Sequence, residues 1–231
     1  MSNNQTNTSR ELVSAKGEIA RAKIKASAFA VMEELGYHKM RIADVTAHAG
    51  VAAGLFYHYF NDLKSLTQEV LEDFVSHSLR AQAIERDVSE GDWYGLILAH
   101  NSVVVKAYAE RPGIMRCLLQ LADEEPQFAK ILRENFVRQL SWLTRHMPEL
   151  FPAANLSAHQ ALMVVYTLAG TGETVLRDYY VNRERVLVKK KLSQDEMTEL
   201  ISVMFYRGLF LHNPPADQLR YAANLVEMTK R

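Results

Sequence analysis

The chain has 231 residues, enough for one large domain or two small ones; 48% of them are hydrophobic and 23% charged, and 27 Lys and Arg balance 27 Asp and Glu. This is ordinary composition for a water-soluble fold with a real core, and the zero net charge means that no nucleic-acid partner can be read from bulk charge. No apolar run approaches the ~18 residues of a membrane span, the polar start MSNNQTNTSRELVS does not read as a secretory signal, and a lone cysteine, Cys117, excludes an internal disulfide and fits a reducing cytosol.

Charge is therefore read locally. Residues 1–66 carry eight Lys and Arg against six Asp and Glu, a net of +2 that leaves −2 for the remainder. Residues 1–13 read as a polar, disordered arm. In GEIARAKIKASAFAVMEELGY the apolar positions Ile24, Ala28, Val31, Met32 and Leu35 recur at helical spacing until Gly36 ends the helix. Short helices follow at about 42–49 and 53–59, and a longer one, capped by Asp62, runs through LKSLTQEVLEDFVSHSLRAQA. Asp92 opens WYGLILAHNSVVVKAYAE, which Pro112 and Gly113 end. IMRCLLQLA is short, and Pro126 opens QFAKILRENFVRQLSWLTRHM, expected to stop before Pro148. Ser157 caps AHQALMVVYTLAGTGETVLRDYYV; Ser193 caps QDEMTELISVMFYRGLFL, with Glu196 completing a capping box; a last helix is expected after Pro215. VLVKKKLS, with its Lys189–Lys191 run, reads as a solvated loop. The result is an all-α chain of about nine helices, with no sheet and no internal repeat.

In the stretch around Ala49–Asp62, Val45 and Ala49 are one turn apart, as are Phe56 and Phe60, so both pairs face inward. Gly50 stands at the sharp turn, where a positive φ is cheap only for glycine, and Val51 plugs the corner. These are the requirements of a helix-turn-helix whose second helix enters the major groove. RIADVTAHAGVAAGLFYHYFNDLKSL resembles the DNA-binding segment of the tetracycline-repressor (TetR) family at Ile42, Val45, Ala49, Gly50, Val51, Gly54, Tyr57, Phe60 and Leu66. The resemblance covers roughly the first third of the chain and implies a three-helix DNA-binding domain at 14–66 and a helical ligand-binding and dimerisation domain at 67–231.

The departures from the family pattern are concentrated on the reading surface. Ala52 replaces the small polar cap, Ala53 a frequent basic position, Leu55 a Thr, Arg41 a Thr cap and Leu63 a common Lys, with Lys64 following. Base readout is therefore expected to lean on apolar contacts with thymine methyls through Ala52, Ala53 and Leu55, with Gly54 among the DNA-binding residues beside them. His58 and the arm before Lys16 are expected to add polar contacts, and Arg41 and Lys64 are counted with the DNA-binding residues. By resemblance Tyr57, and Tyr59 with it, bond phosphates and position the helix; the alternative is that both are amphipathic packing residues.

Further along, Leu162, Val165, Ala169, Gly172 and Leu176 form one stripe, and Ile201, Met204, Phe205 and Gly208 another. They suit either a four-helix interface between two copies or packing within one chain. GTGET lacks the strand and third glycine of a dinucleotide loop and reads as packing. Candidate pocket residues on the middle helices are Phe74, Trp93, Leu96, His100, Val104, Met115, Leu118, Phe136 and Tyr166, with Val103 and Phe128 beside them. His100 and Asn101 are polar residues amid LILAHNSVVV, and His100 either orients a ligand carbonyl or carboxylate or is a bonded core histidine. The basic cluster Arg183, Arg185 and Lys189–Lys191 reads as a solvated loop.

The sequence thus points to a cytoplasmic bacterial homodimer, nucleoid-associated when bound. It would be a repressor released from a palindromic double-stranded operator by a small apolar or amphipathic effector. A ligand-independent DNA-binding scaffold that recruits a protein is the alternative. No catalytic motif, metal spacing, cofactor loop or membrane segment suggests another class.

Overall fold

Among the residues described by this computed structural model, 3–78 and 87–229, the chain forms nine α-helices and no strand. They are α1 (Asn3–Leu35), α2 (Ile42–Ala49), α3 (Ala53–Tyr59), α4 (Leu63–Ser78), α5 (Trp93–Glu110), α6 (Pro112–Glu124), α7 (Pro126–Leu150), α8 (Ala158–Leu176) and α9 (Gln194–Phe210). The helix from Asn3 replaces the disordered arm expected over residues 3–13, since no proline or glycine interrupts the chain there. Residues 79–83, expected to extend α4, lie outside the described residues.

Local signals account for most helix ends. Asp62 Oδ1 accepts the Ser65 N–H at 2.7 Å, and the Ser157 and Ser193 hydroxyls accept from Gln160 and Glu196 in full capping boxes. Two prolines behave differently from expectation. Pro112 opens α6 rather than merely ending α5, because a first-turn N–H needs no partner and proline's φ is already helical. Pro148 sits inside α7, one turn from its end, where only one hydrogen bond is lost before Phe151 closes the helix on Met147 at 2.9 Å. The expected helix after Pro215 is instead two 3-10 segments, Ala216–Gln218 and Ala223–Thr229. Between them the backbone N–H groups of Arg220, Tyr221 and Ala222 converge on the buried Glu199 carboxylate of α9, a geometry a continuous helix could not offer.

Two hydrophobic cores result. One runs from α1–α4 (Ile24, Met32, Val45, Phe56, Phe60, Leu66) into α5–α7 and the end of α8 (Tyr108, Met115, Leu118, Phe128, Leu176). The other joins α5, α7, α8 and α9 through Tyr94, Ile97, Trp142, Leu143, Val165 and Val203. The expected boundary at residue 66 falls inside α4, and the first core continues across it.

Candidate functional site: reading head, tether and cavity

Gly50 adopts φ 60, ψ 42, and its N–H and that of Val51 return to the last carbonyls of α2. This left-handed turn sets α3 against α2, with Val45, Ala49, Phe56 and Phe60 buried between them. Thr46 is buried as well, its hydroxyl donating to the Ile42 carbonyl at 3.0 Å, so it packs rather than reads. Arg41 caps α2 only through its backbone N–H, which donates to Asp44 Oδ2 at 2.9 Å; its side chain faces solvent.

Ala52 precedes α3 with no side-chain cap, as its methyl requires. Ala52, Ala53, Gly54, Tyr57 and His58 are exposed, Leu55 half-buried. The two tyrosines part ways. Tyr57 is 62% exposed, whereas Tyr59 is half-buried against the core, with its hydroxyl 3.4 Å from where a Cβ on Gly17 of α1 would stand. Lys64 pairs with Glu125 Oε2 at 2.9 Å, which turns its ammonium toward the α6–α7 junction.

That pair is one of several contacts tying the reading head to α6. Glu33 of α1 accepts the Gly113 N–H at 3.0 Å and the Ile114 N–H at 2.8 Å, a carboxylate set on the positive end of α6. At the other end of α6, His38 Nε2 lies 2.9 Å from Glu124 Oε1. Between them Cys117 donates to the Met32 carbonyl at 3.7 Å; burial pushes its thiol up, away from thiolate reactivity.

α6 also reaches a cavity of about 80 Å³ enclosed by α5, α7, α8 and α9, through Met115. Of the expected pocket residues, His100, Val104, Met115 and Phe136 line it, and His100 stacks on Trp142 with ring centroids 4.4 Å apart. Tyr166 lies instead on an adjoining open groove, Leu118 is buried in the first core, Trp93 packs edge-on against His146, Leu96 flanks the second core, and Phe74 lies by α1 and Arg111 on a separate surface groove. The cavity's polar lining was missed by sequence reasoning apart from His100 and Asn101: Tyr108, Asn135, Gln139 and Glu173 also face it. Their signal was a polar residue within an apolar helical stripe. Tyr108 donates to Glu173 Oε1 at 3.2 Å, and desolvation raises the pKa of both groups.

The stripes expected at a dimer interface need correction. Val165, Ala169, Gly172, Leu176, Ile201 and Phe205 line the cavity, inside one chain, and Leu162 is half-buried. Only Met204 and Gly208 are exposed. The outward apolar face is rotated from the expected one and carries Met163, Val164, Tyr166 and Val175 of α8 with Met204 of α9. Both faces of α8 are apolar, and burial against α7 and α9 selected between them.

No described helix is long and apolar enough to cross a membrane. Residues 24–70 match the bacterial regulatory proteins of the tetR family. Comparison with curated protein sequences finds no match. Among solved structures, the chain is similar to a regulator assigned to the TetR family from Mesorhizobium loti MAFF303099, at TM-score 0.61 and 16% identity over 84% of this chain and 97% of that one. It is also similar to a TetR-family transcriptional regulator from Bordetella parapertussis 12822, at TM-score 0.60 and 18% identity over 83% and 96%. Salmonella enterica GusR aligns at TM-score 0.57 and 17% identity over 83% and 95%. Residues 24–70 thus carry the DNA-binding segment of the tetR family, and the chain has the fold that these solved structures share.

Proposed function

We propose that the protein is a homodimeric, ligand-responsive repressor that binds a palindromic operator and leaves it when a small molecule fills the cavity. The observation that carries this reading is the double attachment of α6. Its N-terminus is held to α1 by Glu33 and its C-terminal region to the reading head by His38 and Lys64, while Met115 on the same helix lines the cavity. A ligand that displaces Met115 must move a helix whose ends are fastened to the DNA-binding segment. Two heads must sit about 34–36 Å apart to enter successive major grooves, so a shift of a few ångströms suffices for release. By linkage, operator DNA weakens ligand binding by the same factor.

The outward apolar face on α8 and α9 supports pairing of two copies there. Exposed Ala52, Ala53 and Tyr57 support entry of α3 into the groove, with methyl contacts supplying base readout and Tyr57 bonding phosphate. A ligand-independent scaffold is disfavoured by the cavity and the polar groups that line it. The test is binding to DNA flanking the protein's own gene, or to a selected random sequence, at two salt concentrations with and without a compound panel. Tight, salt-sensitive binding reversed by one compound is expected; specific binding reversed by none of a broad panel would favour the scaffold.

A further inference from the structure

Among the described residues, Glu173 is the only Asp, Glu, Lys or Arg side chain lining the cavity. Among the described residues its carboxylate receives one hydrogen bond, from Tyr108, and no Lys or Arg nitrogen comes within 4 Å of it. A carboxylate has about four acceptor positions, so this one has capacity left for a donor arriving with a ligand. A carboxylate withdrawn from water gains most from a partner of opposite charge. Tyr108, Phe136 and Trp142 also line the cavity, aromatic rings of the kind that attracts cations, with one face of Trp142 stacked on His100.

We infer that the cavity takes a small organic cation, an amine or amidine on an aromatic or short alkyl body, with Glu173 as its ion-pair partner. The inference rests on the ligand-responsive reading above and names the ligand's charge. It runs against carboxylic acids and acyl thioesters: an anion entering the cavity would meet a carboxylate and no Lys or Arg side chain. Arg133 and Arg177 line the open groove and not the cavity; the Arg177 charge reaches Glu173 and offsets part of its desolvation without forming an ion pair with it. Glu173, Tyr108, Leu132 and Phe136 line both spaces and form the partition between groove and cavity. A ligand crossing from the groove would therefore encounter Glu173 at the threshold.

The test compares three compounds of one shape, 2-phenylethylamine, 2-phenylethanol and phenylacetate. Their binding to the full-length protein and to Glu173→Gln is read by tryptophan fluorescence, since Trp142 lines the cavity. Circular dichroism and DNA binding check that the variant is folded. The amine should bind about tenfold tighter than the alcohol, with phenylacetate weakest. In Glu173→Gln the amine should lose about tenfold while the alcohol changes little. Phenylacetate binding best, an amine affinity unchanged in the variant, or no amine binding at millimolar concentration each overturns the inference. Operator release is measured separately. Amine binding without release would sink the regulatory reading alone, and release by an anion acting through the cavity would sink the cation inference alone.

Discussion

Gly113 and Glu33 meet so closely that a Cβ at position 113 would stand 2.1 Å from the Glu33 carbonyl oxygen, while the Gly113 N–H donates to the Glu33 carboxylate at 3.0 Å. The absent side chain and the hydrogen bond are two halves of one joint. Through it the last turns of α1 and the first turn of α6 are fastened, and helices α1–α4 share a core with α5–α7.

Gly113→Ala should therefore destabilise the protein by about 1–3 kcal/mol, because the blocking atom is backbone and cannot rotate aside. Urea denaturation measures it; an unchanged midpoint would show that α1 and α6 separate freely. A folded variant should also respond less to effector, through the loosened tether.

At Gly50 the constraint is conformational, since the nearest atom to an added Cβ is the end of the flexible Lys23 side chain at 3.8 Å. Gly50→Ala should destabilise by about 1–2 kcal/mol, and Gly50→Asn by less, because Asn visits the left-handed region more readily. Equal stability losses for the two would point to crowding instead.

Tyr57→Phe should weaken binding to all DNA sequences alike, by about 1 kcal/mol, with stability unchanged. Tyr59→Phe should affect DNA less, given its packed position beside Gly17. Replacing operator thymines with uracil should reduce affinity by up to about 0.8 kcal/mol at each methyl that α3 contacts. Insensitivity to uracil at every position would reject methyl readout.

Glu199 gathers the N–H groups of Arg220, Tyr221 and Ala222 at 3.0, 2.7 and 2.5 Å. Glu199→Ala should destabilise by about 3 kcal/mol, the scale expected when buried donors lose a charged acceptor. Hydrogen exchange at residues 220–222 should accelerate more than in α5; uniform acceleration would mean that the segment is held by other contacts.

Burial raises the Glu173 carboxyl above its ordinary 4.5. The folded state then binds a proton more tightly than the unfolded one, so this group's contribution is fully present below pH 4.5 and is lost as pH rises through the folded value. Glu173→Gln should consequently be more stable than the parent at pH 7, with the gap closing toward acid. Thermal melts across that range check the sign, and a constant gap would refute it.

By itself the sequence determined the helices, their caps at Asp62, Ser157 and Ser193, the Gly50 turn and the inward aromatics Phe56 and Phe60. All of these depend on residues within one or two turns of each other, and such short-range chemistry is written in residue spacing. Tertiary structure decided the rest. It chose which apolar face of α8 turned inward, sent Lys64 to Glu125 rather than leaving it free for phosphate, parted Tyr59 from Tyr57, and set Glu173 and Asn135 on the cavity wall. It also drew the chain after Arg220 out of an α-helix and onto Glu199. In each case the selecting partner lies on another element, far along the chain. A helix with two apolar faces has no local reason to prefer one; burial against its neighbours makes that choice.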